Sequence, residues 1–327
     1  MEIIPEIKEN VKEIKEFKLK SLRQKLGQRF YLQALDVLKQ DTEESYEKSK
    51  KLFRKSRNAD ECGSFLEFSI CENVETLEKK GKLKKADFCK IKWCHTCSCL
   101  KSKKVVRELR SICQQIENSY KDKKLTYLFL TLALKNPPLN ELRSTIEKMS
   151  LAFKEMFKKE KLYDKHILGY FRSIEFLGDK TMPGYAHPHF HVILVVDSGY
   201  FGNYYISQQK WIDMWQKYLK VDYKPTAHVQ RIKANSKKKM EAKDSAVYEV
   251  AKYSVSPATF LRLSQKDFEM LDKETKGVRQ YNKGGVFKDF KPIEEEDDLD
   301  NTELWREIDK IYFYWRQELD EYEASKI

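Results

Sequence analysis

The chain has 327 residues, 41% of them hydrophobic, and carries 63 lysines and arginines against 51 aspartates and glutamates, a net charge of +12. That is chain enough for two domains and apolar material enough for a core, which excludes a disordered or fibrous polypeptide. No apolar run approaches the roughly 20 residues needed to cross a bilayer and the first residues lack a signal-peptide core, so a cytoplasmic protein with reduced cysteines and no membrane partner is expected. The charge is uneven. Residues 283–327 hold 7 basic and 14 acidic side chains, leaving 56 and 37 for the rest. A basic body with an acidic tail suits a polyanion such as nucleic acid, although any lysine-rich soluble protein shares the bare excess.

In chain order, residues 1–60 read as a polar helical region, with Ile14, Phe17, Leu22, Leu26, Phe30, Leu32, Leu35 and Leu38 at mixed three- and four-residue spacings. Residues 61–115 hold all seven cysteines. Cys94-x2-Cys97 is a metal knuckle, and Cys62 and Cys71 complete a tetrahedral four-cysteine zinc set, with Cys89 competing for a place. Cys99 and Cys113 are left over, and Cys113 reads as a buried apolar residue. The run that follows, if helical, gathers Lys103, Lys104, Arg107 and Arg110 on a face opposite Val106 and Leu109, suited to DNA phosphates or simply to solvent.

From residue 116 to about 260 the pattern becomes regular. Tyr127–Leu134 is a strand, Asn140 caps a helix reaching about Glu160, Ile167–Leu177 and His189–Val196 are strands, Ser207–Leu219 is a helix, His228–Ile232 a short strand and Ala242–Ser254 a helix stopped by Pro257. This β-α-β-β-α-β-α order predicts an α+β fold, a ferredoxin-like antiparallel sheet with helices on one face. Residues 261–327 are expected as an acidic helical region whose last helix, Thr302–Tyr322, bears a stripe of Trp305, Tyr312 and Trp315.

Three of the six histidines fall at His187, His189 and His191. Strand periodicity puts His189 and His191 on one face about 7 Å apart, where they can share a metal. Glu175, on the preceding strand, can lie across from them. Two imidazoles and a carboxylate suit Mn²⁺ or Mg²⁺ and leave positions open for a phosphate oxygen. His187 precedes Pro188 and fits either a substrate contact or a plain turn residue. A polarised phosphodiester needs an attacking group, and Glu249 and Tyr253 lie four apart on one helical face with Lys252 adjacent. Lys252 or a metal-bound phosphate would favour the phenolate. Tyr248, facing elsewhere, reads as a core aromatic. The lysines Lys237, Lys238 and Lys239 form a basic loop.

Phe129-Leu-Thr-Leu, Tyr185-Ala-His-Pro-His-Phe-His-Val and Glu249-Val-Ala-Lys-Tyr-Ser-Val together resemble the three ordered motifs of the HUH endonucleases, specifically the single-tyrosine initiators of rolling-circle replication in small Gram-positive plasmids. Phe171-Arg-Ser-Ile-Glu and Ser207-Gln-Gln-Lys-Trp add to a resemblance that covers about residues 60–256. It makes 116–260 the endonuclease domain. It implies that Tyr253 cuts one strand of the plasmid origin, at a hairpin or single-stranded nick site, leaving a 5′-phosphotyrosine and a 3′-OH, and that His189, His191 and Glu175 hold the metal. Two-tyrosine relatives have a second tyrosine where this chain has Glu249, which would activate water at termination. A host helicase is implied, since the chain has no P-loop, and self-association is compatible with the family. Two departures stand out: Ser256 replaces a lysine common after the tyrosine, and His95 replaces the proline of a Cys-Pro-x-Cys run. Two other readings stay open, a mobilisation relaxase or transposase of the same superfamily, and a non-catalytic RRM-like nucleic-acid module. The latter would leave Glu249 and Tyr253 unexplained and lacks the aromatic runs such a sheet uses.

Overall fold

A computed structural model of the protein describes residues 3–232, 244, 247–248, 250–251, 255–293 and 304–325. The elements are α1 (Pro5–Phe17), α2 (Lys20–Leu38), α3 (Glu43–Asp60), β1 (Phe65–Asn73), β2 (Lys79–Ala86), α4 (His95–Ser119), β3 (Thr126–Ala133), α5 (Leu142–Lys159), β4 (Ile167–Glu175) and β5 (His189–Val196). They continue with α6 (Gln208–Leu219), β6 (Thr226–Arg231), α7 (Pro257–Arg262), α8 (Gln265–Glu274), β7 (Tyr281–Gly285), β8 (Trp305–Arg316) and β9 (Glu321–Ser325). The chain divides into two compact units, Met1–Lys101 with Glu294–Ile327, and Ser102–Ile293. Among the described residues no helix is long and apolar enough to cross a membrane.

The first unit opens with three helices, where the sequence predicts only a helical region. Pro5 starts α1, where its missing N–H costs nothing, and Thr42 and Ser45 form a reciprocal capping box on α3. α2 and α3 approach closely because Gly27 has no side chain: a Cβ there would lie 2.1 Å from the Asp60 carboxylate. Leu32 and Leu35 of the predicted stripe are exposed, so the buried face of α2 is instead Leu22, Leu26, Phe30, Ala34 and Val37.

A four-stranded antiparallel sheet follows, in the order β2-β1-β8-β9. This corrects the reading of 302–322 as a helix. Trp305, Tyr312 and Trp315 sit at spacings of seven and three, which imitate a helical stripe. The burial has period two instead: Ile311, Phe313 and Trp315 point inward while Tyr314 is 40% exposed. Phe313 meets Phe68 of β1 edge to face at 5.7 Å, and Ile7 and Ile14 of α1 complete that core.

In the second unit β3-α5-β4-β5-α6-β6 keeps the predicted β-α-β-β-α-β order, in an antiparallel sheet ordered β6-β3-β5-β4-β7. Asn140 is not a cap; it lies in a 3₁₀ turn, Leu139–Glu141, and α5 starts without a side-chain cap. Ser207 caps α6, accepting from the Lys210 N–H at 3.2 Å. Residues 261–293 supply the end of α7, all of α8 and the strand β7, which pairs with β4.

Helices cover both faces of this sheet, not one. The reason lies in β5, where Val192, Ile193, Leu194, Val195 and Val196 are all fully buried; a strand apolar on both sides needs cover on both. On one face Phe190 packs on Phe153 of α5 and Trp215 of α6, with ring centroids 6.0 and 6.4 Å away, and Trp215 Nε1 donates to the Ala133 carbonyl at 3.0 Å. On the other, Ile193 and Val195 join Val106, Leu109, Ile112, Cys113 and Ile116 of α4 with Val247, Val250 and Ala251. Cys113 is thus the buried apolar residue expected.

Candidate metal centres

The α4-facing side of β5 changes character toward its N-terminus, where Ile193 gives way to His191 and His189. Cross-strand register sets what they meet. On β4, Glu175 pairs with His189 and Ser173 with His191; on β3, Ala133 and Thr131 lie opposite the same two. Paired residues of an antiparallel ladder share a face, so Glu175 and both imidazoles converge. Glu175 Oε2 lies 3.1 Å from His189 Nε2, and Oε1 lies 3.3 Å from His191 Nε2. The three ligand atoms lie within 4.8 Å of one another, a group able to hold a metal ion.

The surroundings orient the rings. His189 Nδ1 donates to the His187 carbonyl at 2.9 Å. A carbonyl only accepts, so Nδ1 carries a proton and Nε2 is the nitrogen turned toward Glu175 and the centre, as second-shell bonds to ligating histidines arrange. The His191 ring stacks on Phe129, 5.3 Å between centroids, and its buried Nδ1 has no hydrogen-bond partner among the described residues. Burial opposes ionisation of Glu175, yet the hydrogen bonds and charge of the two imidazoles outweigh it and hold the carboxyl at about 2. Burial draws His189 down, but Glu175 prevails and raises it. The anionic carboxylate and two imidazoles form a hard, mixed N/O donor set. Side-chain exposures of 10%, 17% and 21% for His189, His191 and Glu175 leave the centre reachable from outside.

His187 stands outside this group. Its Nδ1 lies 2.6 Å from Asn136 Oδ1, and burial, then the neighbouring His189, lower its pKa. The sequence allows either of two roles for it; here it ties the entry of β5 to the end of β3. Asp179 carries no signal in the sequence that would single it out. Ser256 and Thr259 donate to its Oδ1 at 2.8 and 2.9 Å, and Arg262 Nη2 donates to its carbonyl at 2.8 Å. Asp179 thereby joins the loop after Glu175 to α7. Ser256, the departure from the family lysine, caps α7 by accepting from the Thr259 N–H.

Glu249, Lys252 and Tyr253, and Lys237, Lys238 and Lys239, lie outside the described residues. Tyr248 is described and corrects its expected core role: it is 46% exposed, and the Arg110 guanidinium sits 5.0 Å over its ring. Val247, Val250 and Ala251 face inward instead. On α4, Lys103, Lys104 and Arg107 are exposed opposite buried Val106 and Leu109, as predicted. Arg110 is half-buried and bonded to Asp244 at 2.7 Å.

The second centre belongs to the first unit. Cys62, Cys89, Cys94 and Cys97 bring their sulfurs within 4.8 Å of one another. Cys71 is not among them, a correction to the expected set. It lies on β1 beside Trp305, while the turn before α4 delivers Cys89 into its place. Sulfur separations of 3.5, 3.6 and 3.7 Å compare with about 3.8 Å for four thiolates placed tetrahedrally about 2.3 Å from a common ion. The Cys89 and Lys90 N–H groups donate to Cys62 Sγ and Cys97 Sγ at 3.4 and 3.3 Å. Hydrogen bonds from Cys89 and its neighbours push the Cys62 thiol up, while those from Cys62 and its neighbours hold Cys94 far below the usual range. Lys18 is 2% exposed and donates to the Cys62 carbonyl at 2.8 Å. Burial, then Arg23, brings it down to about 8.

The family model described as Replication protein matches residues 80–323. Protein rep of Lactiplantibacillus plantarum is 32% identical over 282 residues, covering 84% of this chain and 86% of the relative. Protein rep of Streptococcus pneumoniae serotype 2 is 31% identical over 250 residues, covering 74% and 73%. A Staphylococcus aureus Protein rep is 34% identical over 204 residues, covering 62% and 82%. No solved structure matches the chain significantly. With three quarters of its length, Glu175, His189 and His191 included, inside the family model, the chain belongs to the Replication protein family.

Proposed function

We propose that the chain initiates rolling-circle replication of a plasmid, as an HUH-type nicking and joining endonuclease acting on origin DNA in the cytoplasm. The observation that carries this reading is the convergence of Glu175, His189 and His191 on one point of a sheet with ferredoxin-like connectivity. A Mn²⁺ or Mg²⁺ ion bound there would polarise the scissile phosphate and offset charge in the transition state. Glu175 and the two Nε2 atoms hold and orient the phosphate site. The Tyr253 phenolate, favoured by Lys252, attacks phosphorus; the bond to the 3′ oxygen breaks, and that oxygen takes a proton to become the priming 3′-OH. Glu249 takes a proton from water when the last cleavage ends the cycle. Membership of the Replication protein family, with relatives named Protein rep, favours an initiator over a relaxase or transposase. A host helicase would open the duplex.

Zinc is proposed for the four sulfurs, as a structural ion: the donors are all cysteine sulfurs in a largely buried cluster, and the neighbouring Lys18 would offset the negative charge that the thiolates carry once a metal is bound. Nicking is tested by incubating the full chain with single-stranded origin DNA and Mn²⁺ and resolving protein–DNA adducts under denaturing conditions. Tyr253→Phe is expected to form none, and an undiminished adduct overturns the assignment. Glu249→Ala is expected to nick but to stay attached to its product at termination.

A further inference from the structure

The helical hairpin of α2 and α3 in the first unit is apolar on two sides. One side faces into the unit, where Leu22, Leu26, Phe30, Ala34 and Val37 of α2 are buried, with Leu52 and Ala59 of α3. The other side carries Tyr31, Leu35 and Leu38, at i, i+4 and i+7 along α2, with Leu32 beside them. Tyr31, Leu32 and Leu35 stand 48%, 42% and 39% exposed. The Tyr31 ring meets Phe53 of α3 at 5.4 Å between centroids, so the stripe continues onto the second helix. Tyr46, two helical turns before Phe53, is 55% exposed. A surface helix ordinarily sets polar residues opposite its apolar stripe; α2 sets a second stripe there. Apolar side chains gathered on the outside of a protein mark a contact surface.

The charges around this patch indicate what covers it. At the turn end of the hairpin, residues 36–48 carry five acidic and two basic side chains. At the far end, residues 20–31 and 49–59 carry four and five basic side chains and no acidic one. Arg23 and Arg29 of these are buried. The exposed charges run along α3 in one line beside Tyr46 and Phe53: Glu43, Glu47, Arg54 and Arg57, at spacings of four, seven and three. Lys50, between them, is already engaged by Glu47 at 3.3 Å. A polyanion laid along this line would be repelled by its acidic end, and a uniformly acidic or basic protein would match only half of it. A second copy turned end for end matches all of it, because a two-fold axis across the middle of the hairpin sets acidic end against basic end twice.

We infer that α2 and α3 form an interface with a second copy of this chain. The two hairpins pair antiparallel as four helices, closing the outer stripe of each over Tyr31, Leu32, Leu35 and Tyr46. The inference does not rest on the nicking reading, since it uses no residue of the Glu175–His189–His191 group. One hairpin face per copy is a small specific interface, below about 1,200 Å² in total, so the dimer is expected to dissociate at concentrations on the order of micromolar.

Sedimentation equilibrium of the full chain over about 1–100 µM tests this. The expected result is a reversible monomer–dimer equilibrium. Leu35→Glu, at an exposed position, should raise Kd about tenfold or more while the circular dichroism spectrum and Tm stay native. Charge reversal gives an independent arm. Glu43→Lys with Glu47→Lys, and Arg54→Glu with Arg57→Glu, should each weaken self-association about tenfold. An equimolar mixture of these two double variants should recover the native affinity, because each end then meets its opposite again. A chain that stays monomeric throughout the range, native self-association of Leu35→Glu, or a mixture no tighter than its components overturns the interface. Each of these outcomes leaves the Tyr253 adduct assay unaffected.

Discussion

The two ligand groups of this protein are built on opposite plans. In the first unit four sulfurs from two separate segments meet in a largely buried cluster, with backbone N–H groups and a buried lysine around them. In the second, one carboxylate and two imidazoles share one face of a sheet and remain partly exposed. Four donors complete a tetrahedron and leave no room for a reactant, whereas three donors leave coordination positions open. The contrast teaches that donor number and exposure, read together, separate a group suited to holding the chain in shape from one suited to chemistry.

The largest expected effect concerns the sulfur group. Metal affinity of such a site is folding energy, on the order of 10 kcal/mol or more, so Cys89→Ser should lose its bound metal and the cooperative melt of the first unit. Cys71→Ser should keep both. Metal content per chain and thermal unfolding read this directly, and the reverse pattern would restore Cys71 to the ligand set.

Next comes the histidine group. His191→Ala and Glu175→Ala should reduce nicking about a thousandfold with only a small shift in Tm, because neither side chain belongs to the apolar core. A loss of folding comparable to Cys89→Ser would erase the distinction between the two centres.

A smaller effect is a pH dependence. The raised His189 pKa means the ring holds its proton above the ordinary imidazole value of about 6.5. In the metal-free protein its contact with Glu175 stabilises below that value and fades as pH rises through the folded one. Glu175, held at about 2, contributes above the usual carboxylate range, and that contribution is lost as pH falls toward 2. A metal must displace the His189 proton, so Mn²⁺ affinity should weaken on acidification, beginning above pH of about 6.5. Calorimetry across pH checks this; a flat profile would mean His189 is not a ligand.

The smallest effect is on the basic face of α4. Lys103→Gln and Lys104→Gln should each lower the salt dependence of DNA binding by about one unit of log–log slope. Arg110→Gln should do so less, since its guanidinium is engaged by Asp244. Equal effects at all three positions would show that the Asp244 contact opens on DNA.

Much of this was legible locally. The strand His189–Val196 was readable to the residue, because a histidine pair followed by an unbroken apolar run admits one period. The β-α-β-β-α-β order and the pairing of Glu175 with the histidines followed from that same periodicity and a short β4–β5 connection. The Cys94–Cys97 knuckle was equally local. What failed had a common cause. β8 pairs with β1 from the other end of the chain, Trp305 opposite Asn73, so nothing near Trp305 announces a strand, and the spacing of Trp305, Tyr312 and Trp315 imitates a helix. Tyr248 looked apolar enough for the core, but the inward face of its segment is set by Val247, Val250 and Ala251.

The sequence by itself determined which donors this protein has and which of them share a strand face, since alternation in a strand is a property of the backbone. Only the tertiary structure decided that Cys89 rather than Cys71 closes the sulfur group, that helices cover both faces of the second sheet, and that Asp179 fastens the loop beyond Glu175 to α7. Each of these depends on segments distant in the chain meeting in space, and that meeting is fixed by the packing of whole elements, which local spacing does not encode.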